Sequence, residues 1–287
     1  MSSVLTELMD LLKLERIEEG IFRGQSQDLG FGNVFGGQVI GQALSAAKQT
    51  VNEDRGLHSF HCYFLRPGNA RQPIVYEVDN ARDGKSFTTR RVVAIQNGKS
   101  IFNLAASFQI DEEGFAHQKP VMPEVDGPDG LTSELELVRR FEQFIPKSIR
   151  DKMTCDKPID IRPVNPNNPL QPEKRDPVRY IWLKAAGKLP DDLRVHKYLL
   201  AYASDFNFLP TSLEPHGVSF WKKNMQVASL DHSMWFHRDF RMDDWLLYAM
   251  ESPSASGGRC FVRGQLFDRQ GRLVASSTQE GLIRKWA

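Results

Sequence analysis

A chain of 287 residues is long enough for one large domain or two modest ones, each with its own apolar core. Hydrophobic residues make up 40% of it and charged residues 25%, as in ordinary soluble globular proteins. With 37 basic and 36 acidic side chains the net charge is close to zero, which argues against a nucleic-acid partner.

Targeting signals and cysteine usage bear on where the protein works. There is no run of about 18 uncharged apolar residues and no basic-then-apolar leader, so we expect no membrane span. The three cysteines, at positions 62, 155 and 260, are widely spaced and lack a C-x-x-C pattern. An odd number of scattered thiols fits a reducing compartment, so a cytoplasmic location is predicted.

Residues 1–115 are predicted to form one unit of helix and antiparallel sheet. Leucines at helical spacing indicate a helix over 3–13, and a short strand is expected over 21–24. A second helix, over 38–47, is rich in small residues, which favours close packing on a sheet. Strand patterns then follow at 57–65, 74–81, 86–96 and 100–110, and Asn97-Gly98 predicts a hairpin turn between the last two.

Residues 116–190 interrupt this pattern. One helix is expected over 133–144, and prolines become dense beyond residue 157. Because proline disrupts helices and central strands, we predict a linker that packs on the surface of the protein.

Residues 191–287 repeat the first pattern. A helix is predicted over 195–209, and strands are predicted over 226–237, 245–252, 259–268 and 273–283. The segment Phe64-Leu65-Arg66 matches Phe236-His237-Arg238 at a constant offset. Such self-similarity predicts an α+β protein of two tandem repeats, joined edge to edge into one continuous sheet around two central helices.

Five short segments give the chain a family resemblance. They are VFGGQ at 34–38, HSFHCYFLRP at 58–67, RDGKSF at 82–87, ASD at 203–205 and DHSMWFHR at 231–238. Their order and spacing resemble the acyl-CoA thioesterase II family of double hot-dog enzymes, over essentially the whole chain. The resemblance implies a double hot-dog fold and an acyl-CoA substrate, with no cofactor and no metal.

The same resemblance implies a catalytic trio in the C-terminal repeat. The family's aspartate, threonine and glutamine fall on Asp205, Ser229 and Gln279. Serine in place of the usual threonine keeps the hydroxyl but loses the methyl group that restricts its rotamer. From the residues alone other interpretations stay open: a solvated aspartate near a helix end, a strand hydroxyl bonded to backbone, and an exposed strand glutamine.

These residue types suit the hydrolysis of a thioester. A thiol leaves readily because its pKa is about 8.5, so the enzyme mainly has to place a water and stabilise an oxyanion. A carboxylate accepts the proton of the water, and a hydroxyl and an amide orient it. We expect Asp205 to share a helical face with Ala201 and Leu209, where burial raises its pKa. Backbone N–H groups of Gly36 and Gly37 are expected to bind the oxyanion.

The histidines offer a further possibility. His58 and His61 form an H-x-x-H pattern, but on a strand this spacing directs the side chains to opposite faces, which disfavours a shared zinc ion. His58 is left with two interpretations, a catalytic group or a hydrogen-bonded bridge between strands. The sequence contains no G-x-S-x-G, G-x-x-x-x-G-K-[ST] or G-x-G-x-x-G motif, which leaves no evident serine-hydrolase, ATP or NAD site.

The predicted function is hydrolysis of medium- to long-chain acyl-CoA to a free fatty acid and CoA. The alternatives are a hot-dog enzyme that resembles an enoyl-CoA hydratase and a non-catalytic acyl-CoA-binding protein. Because sheets of this kind commonly extend or stack across subunits, a homo-oligomer, either a dimer or a tetramer, is expected.

Overall fold

The secondary structure is taken from a computed structural model, which describes residues 2–30, 32–222 and 224–286. The helices are α1 Ser3–Leu12, α2 Gly36–Lys48, α3 Glu134–Arg140, α4 Lys147–Thr154 and α5 Leu193–Ala203, with 3-10 turns at Glu142–Phe144 and Leu209–His216. The strands of the first half are β1 Glu15–Glu18, β2 Ile21–Gly24, β3 Arg55–Phe64, β4 Ile74–Asp83, β5 Phe87–Gln96 and β6 Lys99–Ile110. Those of the second half are β7 Ile159–Pro163, β8 Val178–Ala185, β9 Met225–Ser229, β10 Asp231–Phe236, β11 Leu246–Ser256, β12 Arg259–Asp268 and β13 Leu273–Lys285.

All of these strands belong to one antiparallel sheet. Its order is β1-β2-β4-β5-β6-β3-β10-β13-β12-β11-β8-β7, with β9 paired on β13. The two halves of the chain meet where β3 runs antiparallel to β10, with His61 opposite Ser233 and Phe60 opposite Met234. His61 and Ser233 are separated by the same offset as the repeated segments, so this junction relates the two repeats about a local two-fold axis. The predicted continuous sheet is confirmed.

Helices α2 and α5 pack against each other inside the curved sheet. Val39, Ile40 and Leu44 of α2 and Leu199 and Leu200 of α5 are all buried in one apolar core. A Cβ at Gly37 would lie 2.1 Å from the backbone oxygen of Tyr202, so only glycine permits this approach of the helices. The expectation of two central helices is therefore also confirmed.

The segment 116–190 differs from the predicted surface linker. It contributes β7 and β8, and β8 is an interior strand that pairs with both β7 and β11. The prolines lie around the strands and do not interrupt them: Pro163 is the last residue of the edge strand β7, and Pro177 precedes β8. An edge position and a strand end are where proline is tolerated, so the number of prolines was a poor guide here.

The helix predicted over 195–209 ends earlier, and this moves Asp205. Helix α5 stops at Ala203, Asn207 adopts a left-handed φ of 62°, and a 3-10 turn with Pro210 near its start follows. The left-handed Asn207 interrupts the helical dihedrals, and Pro210 has no N–H to donate to the carbonyl of Phe206, so the α-helix does not continue through residue 209. The prediction that Asp205 shares a helical face with Ala201 and Leu209 was therefore wrong, because Asp205 lies in the turn.

One smaller difference lies in the C-terminal repeat. The single strand predicted over 226–237 is two strands, β9 and β10, separated at Leu230. None of the helices in the described ranges is both long and apolar enough to cross a bilayer.

Candidate active site

Three side chains from separate elements meet beside the end of α5. Asp205 lies in the turn after α5, Ser229 ends β9, and Gln279 lies in β13. The Gln279 amide Nε2 donates to Asp205 Oδ1 at 3.0 Å and to Ser229 Oγ at 2.6 Å. Ser229 Oγ is 3.5 Å from Asp205 Oδ1. The structure thus brings together all three residues that the sequence predicted as a site.

Strand pairing explains how Ser229 and Gln279 come together. Strand β9 pairs with β13 with Ser229 opposite Gly281, two residues from Gln279 and therefore on the same face of the strand. A Cβ at Gly281 would lie 2.3 Å from a methyl group of Leu209. Glycine at this position lets the 3-10 turn pack onto β13. The preceding turn, which carries Asp205, therefore lies next to Ser229 and Gln279.

The N-terminus of α2 supplies the fourth contact. The Gly37 N–H donates to Asp205 Oδ2 at 3.1 Å, as expected where an anion meets a helix N-terminus. A Cβ at Gly36 would lie 2.6 Å from the same oxygen and 2.9 Å from the Phe64 ring. The sequence assigned the N–H groups of Gly36 and Gly37 to an oxyanion, but the Gly37 N–H binds the carboxylate. The two glycines thus let α2 approach Asp205.

Burial sets the electrostatics of the trio. Gln279 is fully buried, so it is not an ordinary exposed strand residue, while Asp205 and Ser229 keep part of their surface accessible. Burial of the carboxyl raises the pKa of Asp205, and the hydrogen bonds from Gln279, Gly37 and Ser229 offset part of that rise. A carboxylate with a raised pKa and an accessible edge has the properties of a general base.

The histidines of the H-x-x-H pattern bridge strands. His58 Nε2 lies 2.8 Å from Ser107 Oγ on β6, and His61 Nδ1 lies 3.0 Å from Ser233 Oγ on β10. His58 contacts none of the three site side chains by hydrogen bond, so the structural interpretation is favoured. In the part of the chain that is described, no group of three or more His, Cys, Asp or Glu side chains is arranged to hold a metal ion.

His232 is buried beside the trio, and sequence analysis assigned it no part in the site. Its Nε2 lies 3.0 Å from the hydroxyl of Ser204, the residue before Asp205. It lies within the DHSMWFHR segment, which marked the family without indicating any role for this side chain. No local signal in the sequence indicates this position, because its neighbours at the site, Ser204 and Gln279, are distant from it in the chain.

A large, mostly apolar cavity of about 1470 Å³ lies next to the trio. Its walls come from α1, from the segment 133–172 and from the turn after α5, and include Leu8, Phe141, Ile145, Ile161, Tyr202 and Phe206. Phe206 follows Asp205, and its ring stacks on Phe35 at 4.3 Å between centroids. Since Phe35 precedes Gly36, this aromatic pair joins the cavity wall at Phe206 to the start of α2.

Comparisons with known proteins give matches along nearly the whole chain. A family profile described as "Acyl-CoA thioesterase" matches residues 148–282, and one described as "Acyl-CoA thioesterase N-terminal domain" matches residues 25–109. Acyl-CoA thioesterase 2 of Haemophilus influenzae is 46% identical over 99% of both chains. Human acyl-coenzyme A thioesterase 8 is 39% identical, over 96% of this chain and 88% of its own.

Solved structures extend the comparison to the fold. An acyl-CoA thioesterase II from Mycobacterium marinum superposes with a TM-score of 0.79 at 40% identity, covering 98% of this chain and 99% of its own. A hot-dog protein of unknown function from Alicyclobacillus acidocaldarius also gives 0.79, at 19% identity, with the same coverage of both chains. The predicted α+β hot-dog fold is confirmed by these likenesses.

Proposed function

This chain belongs to the acyl-CoA thioesterase II family, and from that premise we propose that it hydrolyses medium- to long-chain acyl-CoA with a water activated by Asp205, Ser229 and Gln279. It is a thioester hydrolase, and its substrates are acyl-CoA thioesters. The observation that carries the proposed mechanism is the approach of the three side chains to within 3.5 Å of one another.

The hydrogen bonds of the trio define what each group does. Asp205 is the base: its carboxylate takes a proton from water as the water oxygen bonds to the thioester carbon. The Gln279 amide uses both N–H groups, one on Asp205 Oδ1 and one on Ser229 Oγ, and so fixes the carboxylate. The Ser229 hydroxyl accepts from Gln279 and donates to Asp205 Oδ1 at 3.5 Å, a bond long enough for its proton to turn to the water or the substrate when they bind.

The tetrahedral intermediate collapses without a strong acid. Its C–S bond breaks, the electron pair leaves with the CoA sulfur, and the proton held by Asp205 passes to the thiolate or to solvent. The Gly36 N–H has no acceptor among the residues described, so it is the remaining donor at the α2 N-terminus for the oxyanion. In this arrangement the C-terminal repeat, 191–287, supplies the trio and the N-terminal repeat, 1–115, supplies the helix terminus.

The cavity supports a long acyl chain. Small-molecule sites commonly measure roughly 300–1,000 Å³, and this one, at about 1470 Å³, is larger and mostly apolar. Tyr202 and Phe206 belong both to its wall and to the stretch of chain that carries Asp205. A fatty acyl chain whose thioester carbon lies at the trio therefore has an apolar volume within reach beyond Phe206.

Thiol release tests the function and its alternatives together. Purified protein is assayed with saturated acyl-CoA from butanoyl to octadecanoyl, and we expect CoA release at all lengths with kcat/KM rising toward the medium and long chains. Acyl-CoA binding without any thiol release would establish a binding protein instead. Hydration of an enoyl-CoA without release of CoA would establish a hydratase.

Assembly and location extend the proposal. Tyr63 on β3 is 58% exposed and Phe261 on β12 is 39% exposed, apolar surface that suits an interface between copies of the chain. We propose a homo-oligomer, dimer or tetramer, which light scattering measures directly. Cys62, Cys155 and Cys260 are all free thiols, which favours the reducing cytoplasm.

A further inference from the structure

His232 of β10 is enclosed completely, with aromatic rings on two sides. Its side chain has no exposed surface, and its ring stacks on Phe60 at 5.9 Å and meets Phe208 edge-on at 5.6 Å between centroids. Nε2 lies 3.0 Å from Ser204 Oγ, which is also 2.9 Å from the Ala201 carbonyl oxygen. The ring is thus held in one plane, with one nitrogen toward the residue that precedes Asp205.

Two buried polar atoms near this ring stand out. Across the described residues, His232 Nδ1 and Gln279 Oε1 are both fully buried and neither has a hydrogen-bond partner. The two side chains are neighbours, because the ladder of β10 and β13 ends with Ser233 opposite Thr278, and His232 and Gln279 are the next residues along the two strands. Buried donors and acceptors are rarely left unpaired, and here one orphan atom of each residue has the other as its natural partner.

The protonation state of the ring decides whether they pair. Burial lowers the pKa of His232 to about 4, with the Gln279 side chain acting in the opposite direction, so the imidazole is neutral near pH 7. A neutral imidazole carries one proton, on either Nδ1 or Nε2. With the proton on Nε2, a lone pair on Nδ1 faces the lone pairs of the Gln279 carbonyl oxygen. With the proton on Nδ1, the ring donates to that oxygen, and the single Ser204 proton, which otherwise goes to the Ala201 carbonyl oxygen, is donated to Nε2 instead.

The Nδ1–H form has a consequence for the site. A donor at Gln279 Oε1 fixes which end of the amide faces inward, and so directs Nε2 to Asp205 and Ser229. A flipped amide would place its carbonyl oxygen against the Asp205 carboxylate, where two acceptors repel. We propose that His232 is a positioning residue which, as the Nδ1–H tautomer, holds the Gln279 amide in its active orientation. Only the kinetic test of this inference rests on the proposed function.

Two substitutions of matched polarity separate positioning from packing. His232→Asn keeps an amide nitrogen at the place of Nδ1, whereas His232→Gln carries its amide nearer the place of Nε2. We expect kcat of H232Q to fall about tenfold or more below that of H232N with little change in KM, while both variants melt at similar temperatures. Equal kcat in the two variants, or losses that follow melting temperature, would overturn the proposal.

Wild-type protein gives a test that needs no substitution. Nitrogen-15 NMR of the His232 ring, assigned by comparison with H232N, distinguishes a protonated from an unprotonated Nδ1. We expect a protonated Nδ1 and an unprotonated Nε2 at pH 7, and the reverse pattern refutes the inference. Because the spectrum does not depend on turnover, it is decisive even if the chain proves inactive on acyl-CoA, whereas the kinetic comparison proceeds only after thiol release is established.

Discussion

Replacing Gly36 with alanine tests the contact between α2 and the carboxylate. The new Cβ would lie 2.6 Å from Asp205 Oδ2, whereas ordinary contacts begin at 3.4 Å. The oxygen must therefore move by about 0.8 Å, since the backbone of α2 is fixed by its packing on α5. Gly36 does not have a positive φ, so alanine introduces no backbone strain of its own.

The expected loss is one of rate. Two groups must yield, the Asp205 carboxylate and the Phe64 ring, whose nearest atom lies 2.9 Å from the new Cβ. Both are side-chain ends that shift at little cost in folding energy, but the carboxylate is the base. Misplacing a catalytic group by close to 1 Å costs on the order of 100-fold in rate, so we predict a 10- to 100-fold lower kcat, about 1.4 to 2.7 kcal/mol. Thiol release from a long-chain acyl-CoA measures it, with thermal melting as the folding control.

Gly41 provides a matched control in the same helix. A Cβ there would lie 2.8 Å from a terminal methyl of Leu12, which rotates away, and Gly41 also has no positive φ. We expect G41A to keep kcat within about twofold, and to be as stable as the wild type or slightly more so, because alanine is the better helix former. A G36A variant as active as G41A would refute the role given to the approach of α2.

Three further predictions concern the hydroxyl, the pH dependence and the core. Ser229→Thr should match or exceed the wild-type kcat because the threonine methyl restricts the rotamer, while Ser229→Ala should lower kcat about tenfold or more. Equal kcat values for the two variants would argue against a role for the hydroxyl. Because burial raises the pKa of Asp205, activity should be full above that pKa and disappear as pH falls through it, so the acid limb of kcat/KM should lie above the ordinary aspartate value of 3.8. An acid limb at or below that value would contradict the raised pKa. The same raised pKa makes the ionised carboxylate oppose folding, so the wild type should gain stability relative to D205N as pH falls. Gln42→Leu should lower the free energy of unfolding by about 2–4 kcal/mol with little effect on kcat. The carbonyl oxygens of Leu11 and Gln25 and the Tyr76 hydroxyl would lose their buried hydrogen-bond partner. An unchanged melting temperature would exclude this stabilising role.

Local chemistry accounts for the elements that the sequence predicted well. Asn97 and Gly98 have φ values of 51° and 69°, as a two-residue hairpin turn requires, and strands β5 and β6 follow their predicted bounds closely. Helix α5 was overextended because its end depends on Asn207 in a left-handed conformation and on Pro210. Each is tolerated in several contexts, so the pattern alone did not locate the end.

Strand β8 pairs with both β7 and β11, and its run of Val178, Tyr180, Ile181 and Trp182 was a local strand signal that the prolines on either side obscured. By contrast, features that depend on contacts between distant parts of the chain could not be predicted from the local sequence pattern. The trio was indicated by family resemblance, but the bond from the Gly37 N–H to Asp205 joins residues 168 positions apart. The orphan atoms of His232 and Gln279 became visible only when β10 and β13 were placed side by side.

Substitution of Asp205 by asparagine addresses the central claim, that this carboxylate removes the proton from the attacking water. Asparagine preserves the size of the side chain and one acceptor for the Gln279 amide, but it does not act as a base. With saturated long-chain acyl-CoA in steady state, we predict that D205N folds normally, retains its KM and loses at least about 30-fold in kcat, equivalent to about 2 kcal/mol. A folded D205N enzyme that releases CoA at the wild-type rate would contradict the account.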